Sequence, residues 1–431
     1  MDLNIKKTDK ERVVIVGGGF GGLELAKRLT KLDLQVVLID KHNYHQFQPL
    51  IYQVASAGME PSSISFPYRK IFQGKTNFYF RKALVNDVSP KEKIVHTSVG
   101  DIHYNYLVLS AGATTNFFGN EHIAEVAMPM KSTTEATGIR NLILGNIEKA
   151  LTCTDRVEQQ ELLNVVIVGG GATGVELAGV IAELKKTVLP YDYPDLDSSL
   201  MNIYLIQGLN RLLPAMAQES SNAALKFLQA MGVNVILSKM VVDYQNHKVI
   251  MEDGSKIATR NFIWVSGIKG VSFPSISKPE FVGRGGRLIV DGYNQVKGFD
   301  HIFAIGDIAI MPNADKKNPQ GHPQLAQVAI QQGKLLAKNF KRMLKGKKMD
   351  TFQYHDLGSM ATVGRKKAVA ELSIGKTQGF MAWLLWLLVH LRSILGIRNK
   401  MIVLLNWMWN YANYKQSLRM IFNTGKVKRK E

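Results

Sequence analysis

A single cysteine, Cys153, stands in a chain of 431 residues. One thiol excludes an intramolecular disulfide, a cysteine-based zinc site, a cysteine-ligated iron–sulfur cluster and a redox dithiol. No stretch reaches the roughly 18 uninterrupted apolar residues of a transmembrane helix. The longest run, Phe380 to Leu391, includes His390. The opening MDLNIKKTDKER has no apolar run, so no secretory signal is expected. Acidic residues are scarce: 35 Asp and Glu face 54 Lys and Arg, for a net charge of +19. From Leu372 to Lys430 there are ten basic residues and no acidic one. That tail favours an anionic partner, either a nucleic acid or a lipid headgroup surface. Hydrophobic residues at 46% and charged residues at 21% describe an ordinary globular chain rather than a disordered one. Its length suits about three domains.

The first strong element is VVIV at Val13–Val16, followed at once by GGGFGG, a helical LELAKRL and an apolar run ending in Asp40. The pattern returns as VVIV at Val165–Val168, GGGATG, VELAGVIAEL and IYLI at Ile203–Ile206. Two βαβ units about 150 residues apart predict two parallel-sheet domains. Tyr106–Ser110 and Phe262–Gly267 read as the strands that close each unit, and His301–Asp307 as a further buried strand. A helix is expected over 325–344, and Leu189–Ser199 reads as an inserted loop. Composition changes at Thr351, where Phe, Trp, Leu, Met and basic residues take over. The expected fold class is α/β, with two Rossmann-like dinucleotide-binding domains and a C-terminal helical module. Residues 1–120 and 285–350 form the first domain, 121–284 the second and 351–431 the module.

Gly17, Gly19 and Gly22 follow a strand and open a helix, and Asp40 ends the next strand. In such a turn the first glycine permits the tight bend, the second lets a pyrophosphate approach the backbone and the third allows close helix–strand packing. The helix N-terminus offers free N–H groups to the phosphates, and the acid can accept from a ribose. Gly169, Gly171 and Gly174 repeat the logic, but Gln207 stands where the acid belongs. A glutamine there keeps a hydrogen-bonding group and removes the charge that repels a 2′-phosphate, so NADPH is expected to be tolerated beside NADH. Arg211, four residues on, could approach such a phosphate. Two dinucleotide sites in one chain suggest a relay from nicotinamide to flavin. Asp307 is placed to meet a ribityl hydroxyl or, equally, to cap a helix. Glu176, just after a helix-opening turn, could merely complement the helix dipole. Gln327 and Gln331 share one helical face and could be plain surface polars, although Leu325, Ala326, Val328, Ala329 and Ile330 leave little solvated face.

Taken in order, GGGFGG, NYHQFQPLIYQVASAGMEP, GGGATGVELAGVIAEL, FAIGD and LAQVAIQQG resemble the two-dinucleotide flavoproteins, and within them the type II NADH dehydrogenases. The likeness runs from about Arg12 to about Tyr414. It implies a non-pumping enzyme that passes hydride from NADH to non-covalent FAD and two electrons to a quinone. By this resemblance, FAD is held by Gly17, Gly19, Gly22, Asp40, Asp307, the backbone at Val85 and Ala326. NADH is held by Gly169, Gly171, Gly174, Gln207 and Gly267. Glu176 matches the acid near nicotinamide and flavin, and Gln327 and Gln331 match the glutamines at the quinone end. No metal is implied. Disulfide reductases and sulfide:quinone oxidoreductases of this fold need cysteines that Cys153 alone does not supply. Two other readings stay open at this point: a membrane-associated flavin and nucleotide sensor without turnover, and a reductase of a soluble acceptor.

In the C-terminal module, helical spacing from Leu404 puts Leu404, Trp407, Met408, Tyr411, Leu418, Ile421 and Phe422 on one side. Asn406, Asn410, Asn413 and Ser417 lie opposite, with Lys415 and Arg419 at the rim and KVKRK beyond. A wide apolar face with basic rims predicts an interfacial helix. Trp383, Trp386, Trp407 and Trp409 are expected at headgroup depth, and 380–391 forms a second apolar segment; a buried helical hairpin or dimer interface is the alternative. The expected partners are a quinone, an anionic lipid surface and a second copy in a homodimer, with no nucleic acid. The expected location is the cytoplasmic side of a bacterial inner membrane, attached peripherally.

Overall fold

The computed structural model describes residues 3–314, 318–373, 375–413 and 419–421, with side chains left undescribed over 410–413. The chain forms two compact units.

The first comprises Met1–Gln46, Phe66–Thr114 and Ile268–Leu357. Its centre is a five-stranded sheet in the order Ile302–Ala304, Tyr106–Leu109, Arg12–Val16, Gln35–Asp40, Phe78–Lys82. Every pairing is parallel, with Val16 beside both Ile39 and Leu109. A parallel sheet covered on both faces needs apolar residues at successive positions. VVIV supplies them, and Val13, Val14 and Ile15 have no exposed surface. Helix Phe20–Leu29 leaves the first glycine turn and crosses helix Ala326–Met343 closely. A Cβ on Gly333 would stand 2.6 Å from the Gly21 carbonyl oxygen.

The second unit comprises Phe47–Ser65, Thr115–Gly267 and Gly358–Glu431. Its parallel sheet runs Met128–Pro129, Asn261–Trp264, Val165–Val168, Ile203–Gln207, Val233–Leu237. In both units the strand before the glycine turn is central, the next strand lies on one side and the closing strand on the other. A three-stranded antiparallel sheet, Ser359–Thr362, Ala368–Leu372 and Gly375–Gly379, leads to helices Phe380–Ser393 and Ile397–Asn413.

Two expectations are corrected here. The stretch read as a loop contains helix Leu189–Asp192 and a 3-10 turn at Ser198–Leu200. The tryptophans do not form an outward belt. Trp383, Trp386 and Trp407 are buried, with Trp386 only 1% exposed, while Trp409 alone faces out. Trp407 and Met408 therefore point to different environments. These helices are apolar around most of their circumference, so one face can pack inward. The rigid indoles take the inner positions, where Ala382 and Trp383 pack on Ala368 and Ala370. Phe380, Met381, Leu384, Leu388 and Val389 on one helix remain outside, as do Ile397, Met401, Leu405, Met408 and Trp409 on the other. The last helix begins at Ile397, before Leu404. The expected faces of Asn410, Tyr411, Asn413, Lys415, Ser417, Leu418, Phe422 and KVKRK lie outside the described residues.

Candidate functional site

At the first turn Gly17 adopts φ +97°, and a Cβ there would stand 2.5 Å from the Ser110 carbonyl oxygen. A Cβ on Gly22 would stand 2.0 Å from the Gly17 oxygen. Gly19 caps helix Phe20–Leu29 without a side-chain hydrogen bond, and the space beside its Cα is open to 4 Å. An uncapped N-terminus with open space before it fits a dinucleotide pyrophosphate. Asp40 accepts from the Gly18 amide at 2.6 Å, from the His42 amide at 2.7 Å and from the Tyr68 hydroxyl at 3.2 Å. A carboxylate has roughly four acceptor positions, so Asp40 braces the turn through three of them. Burial raises its pKa, against the hydrogen bonds from Gly18 and His42. His45 Nδ1 lies 3.0 Å from the Gly18 oxygen, and burial pushes its pKa down to about 4, which leaves it neutral.

The other first-unit residues form a second group. Val85 opens strand Val85–Ser89 and pairs with Thr97. Asp307 sits in the turn Gly306–Ile308, its carbonyl accepting from Gln324 Nε2 at 2.9 Å. Its charge favours the buried guanidinium of Arg287, which burial otherwise disfavours. The Gly306 amide donates to Gln332 Oε1 at 2.7 Å. Ala326 begins helix Ala326–Met343. Gln327 Oε1 accepts from the Leu357 amide at 2.8 Å. The Gln331 amide pairs with both backbone groups of His355, at 2.8 and 3.0 Å. These glutamines thus hold the segment 355–357 as a neighbouring strand would, and are not plain surface polars.

The second turn repeats the first. Gly169 has φ +119°, and a Cβ on Gly174 would stand 1.8 Å from its carbonyl oxygen. Gly171 caps helix Ala172–Thr187 with no side-chain partner and open space beside it. The Gly170 amide donates to Gln207 Oε1 at 3.1 Å, as the Gly18 amide donates to Asp40. The glutamine therefore preserves the brace without the charge. Arg211 is committed to its own loop through Gln218 and the carbonyls of Pro214 and Met216, and is not brought out toward a phosphate. Gly267 follows strand Asn261–Trp264 with φ +74°, against the Phe118 ring.

Glu176 lies within helix Ala172–Thr187 and is 9% exposed. Its Oε1 accepts from the Thr362 amide at 3.3 Å and hydroxyl at 3.5 Å, rather than from its own helix N-terminus. Burial raises its pKa to about 8, against the hydrogen bonds of Thr362. Further along the helix Glu183 pairs with Arg365, its Oε2 lying 3.4 Å from Nε. Burial raises the Glu183 pKa to about 7. Sequence reasoning missed His45, Tyr52, Tyr68, Gln332 and Thr362. The motif NYHQFQPLIYQVAS held two of them, but nothing in it pointed to their partners.

The pyridine nucleotide-disulphide oxidoreductase family matches residues 11–333, and the NDH2 C-terminal domain matches 356–412. The type II NADH:quinone oxidoreductase of Mycobacterium tuberculosis is 34% identical over 413 residues, covering 92% of this chain and 87% of that protein. That of Haemophilus influenzae is 30% identical, covering 84% and 87%. In fold, the chain is similar to NDH2 from Plasmodium falciparum, solved with NADH, with a TM-score of 0.87 at 21% identity, covering 96% of this chain and all of that one.

Proposed function

Since the chain belongs to the type II NADH:quinone oxidoreductases, we propose a division of labour among its own residues for moving a hydride from NADH and two electrons to a quinone. FAD, when bound, supplies the redox chemistry, because it accepts a hydride and releases electrons in pairs. The first turn, braced by Asp40, binds its pyrophosphate at the open N-terminus behind Gly19. The second turn, braced by Gln207, binds NADH behind Gly171. Glu176, kept protonated near neutral pH by burial, holds a proton beside the reacting rings. Gln327 and Gln331 position the segment 355–357 at the quinone end. The pair of matching uncapped helix N-termini carries this reading. Purified protein should oxidise NADH rapidly only when a short-chain quinone is present, and acid treatment should release FAD. Release of FMN, or oxidation indifferent to quinone, would overturn it.

The enzyme is further proposed to sit peripherally on the cytoplasmic face of an inner membrane, as a homodimer. The outward apolar stripes of the last two helices support the membrane contact, together with the basic tail. Among the described residues no helix is long and apolar enough to cross a membrane. With no carboxylate at Gln207, NADPH is proposed to be a weaker but usable donor.

A further inference from the structure

Glu176 stands at the end of a hydrogen-bonded chain that begins on the last helix. Trp407 Nε1 donates to Gln53 Oε1 at 3.1 Å, and Gln53 Nε2 donates to the Tyr52 hydroxyl oxygen at 3.1 Å. The Tyr52 and Thr362 hydroxyls are 3.0 Å apart, and Thr362 Oγ1 reaches Glu176 Oε1 at 3.5 Å. The direction of the chain follows from what each group can do. An indole N–H only donates and a carboxamide oxygen only accepts. Trp407 therefore fixes which face of the Gln53 amide meets Tyr52. With Gln53 donating to the Tyr52 oxygen, the Tyr52 proton is left for Thr362, and the Thr362 proton for Glu176.

The same residues wall a cleft. Tyr52, Gln53, Thr362, Trp386 and Trp407 line it, with Glu183 and Arg365 further along, around a cavity of about 60 Å³. At roughly 15 Å³ apiece that is room for several waters. The indole N–H of Trp386, buried against the same space, has no protein partner among the described residues; a water there would satisfy it.

We propose that Tyr52 and Thr362 are positioning residues that pass protons from water in this cleft to Glu176, with Gln53 and Trp407 setting the direction of the wire. This rests on the reading of Glu176 as the carboxyl beside the reacting rings. The balance requires such a path. NADH delivers a hydride, which is two electrons and one proton. A quinol needs two electrons and two protons, so one proton comes from solution. When the Glu176 O–H bond breaks, its proton forms an O–H bond on the reduced quinone and Glu176 becomes a carboxylate. The Thr362 O–H bond then breaks as a new O–H forms on Glu176. Thr362 takes the Tyr52 proton, and Tyr52 takes one from hydronium in the cleft. NADH and quinone are the only reductant and oxidant involved.

The charges around Glu176 do not compete with this path. Segment Ile51–Ala55 brings Tyr52 as its titratable group, and strands Val165–Val168 and Ser359–Thr362 bring none. Strand Ile203–Gln207 brings the Tyr204 phenol, and helix Leu189–Asp192 brings Tyr191 and Asp192, the latter paired with Arg419. On its own helix Glu183 is paired with Arg365, and Lys185 and Lys186 lie in the last turn. Helix Gln218–Ala230 carries Glu219 and Lys226 away from the buried side.

The test uses the full-length, flavin-loaded enzyme with Tyr52→Phe, Thr362→Val, Thr362→Ser and Glu176→Gln. Stopped-flow absorbance follows quinone reduction across neutral pH, in light and heavy water. Tyr52→Phe, Thr362→Val and Glu176→Gln should each slow this step by about tenfold to a hundredfold and enlarge its solvent isotope effect. Thr362→Ser, which keeps the hydroxyl, should recover most of the rate. KM for NADH should hardly move, which a merely structural defect would not spare. Native rates in Tyr52→Phe and Thr362→Val, with Glu176→Gln still slow, would overturn the wire and leave the reading of Glu176 standing. A native rate in Glu176→Gln would overturn both. Should Tyr52→Phe not accumulate, the Val and Ser variants of Thr362 decide alone: equal rates refute the wire.

Discussion

Replacing Glu176 by glutamine should remove a large part of the pH dependence of stability. The carboxyl has an ordinary value of 4.5 and a folded value of about 8, raised by burial. Below the ordinary value it is protonated in both folded and unfolded chains, and its contribution is fully present. Between the two values the unfolded chain ionises while the folded chain does not. Stability is therefore lost as pH rises toward the folded value, at about 1.4 kcal/mol per unit. At neutral pH the loss amounts to about 3 kcal/mol. Glutamine does not titrate, so the variant lacks this slope. Its extra N–H₂ near the Thr362 hydroxyl adds a cost, but one independent of pH. Glu183, also raised by burial, titrates in both proteins and cancels in the comparison. The assay is thermal unfolding of the two flavin-loaded proteins at mildly acidic and mildly alkaline pH. The native midpoint should fall across that interval by several degrees more than that of Glu176→Gln. Parallel shifts in the two proteins would refute the reasoning.

Gln207→Glu should reduce kcat/KM for NADPH far more than for NADH. A unit charge about 5 Å from a phosphate charge costs about 3 kcal/mol at an effective dielectric of about 20, or about two powers of ten; a native enzyme that already rejects NADPH more than about a thousandfold would show that another residue makes the choice. Gln331→Ala removes both hydrogen bonds to His355 and should slow flavin reoxidation by quinone more than flavin reduction by NADH; stopped-flow traces slowed equally in both halves would place the residue elsewhere. Gly19→Val fills the open space before the first helix and should yield colourless protein, checked by the flavin absorbance. Leu388→Glu with Leu405→Glu charges two outward positions and should release the protein from anionic vesicles in a flotation assay. Truncating the module instead would strip the cover from Trp386, so point charges are the cleaner perturbation.

Much of the fold is legible because both sheets are buried on two faces. VVIV followed by a glycine turn is a local signal, and the third glycine of each turn closes on the carbonyl oxygen of the first, only a few residues back. Asp40 and Gln207 sit one strand away from the amides they brace, so the fixed βαβ geometry reveals them. Thr362 could not be read this way, since its partner Tyr52 is 310 residues distant. Nothing in SMAT or IYQVA marks either hydroxyl as polar and buried. The tryptophans misled for a related reason. A helix apolar on nearly all sides gives no periodic hint of which face meets the protein, and the antiparallel sheet that covers Trp383 is itself formed by a weakly patterned stretch.

The interleaving of the two units also bears on how the chain is made. Strand Tyr106–Leu109 pairs with Ile302–Ala304, so its open edge waits about 195 residues for a partner. At roughly 5–20 residues per second, synthesis leaves that edge uncovered for about 10–40 s. The second sheet, whose strands all fall between Met128 and Trp264, can close while the first still waits. An emerging, unpaired and wholly apolar strand edge is a template for wrong pairing between nascent chains. Slowed translation between the two units should therefore lower the soluble yield, whereas slowing after Ala304 should not.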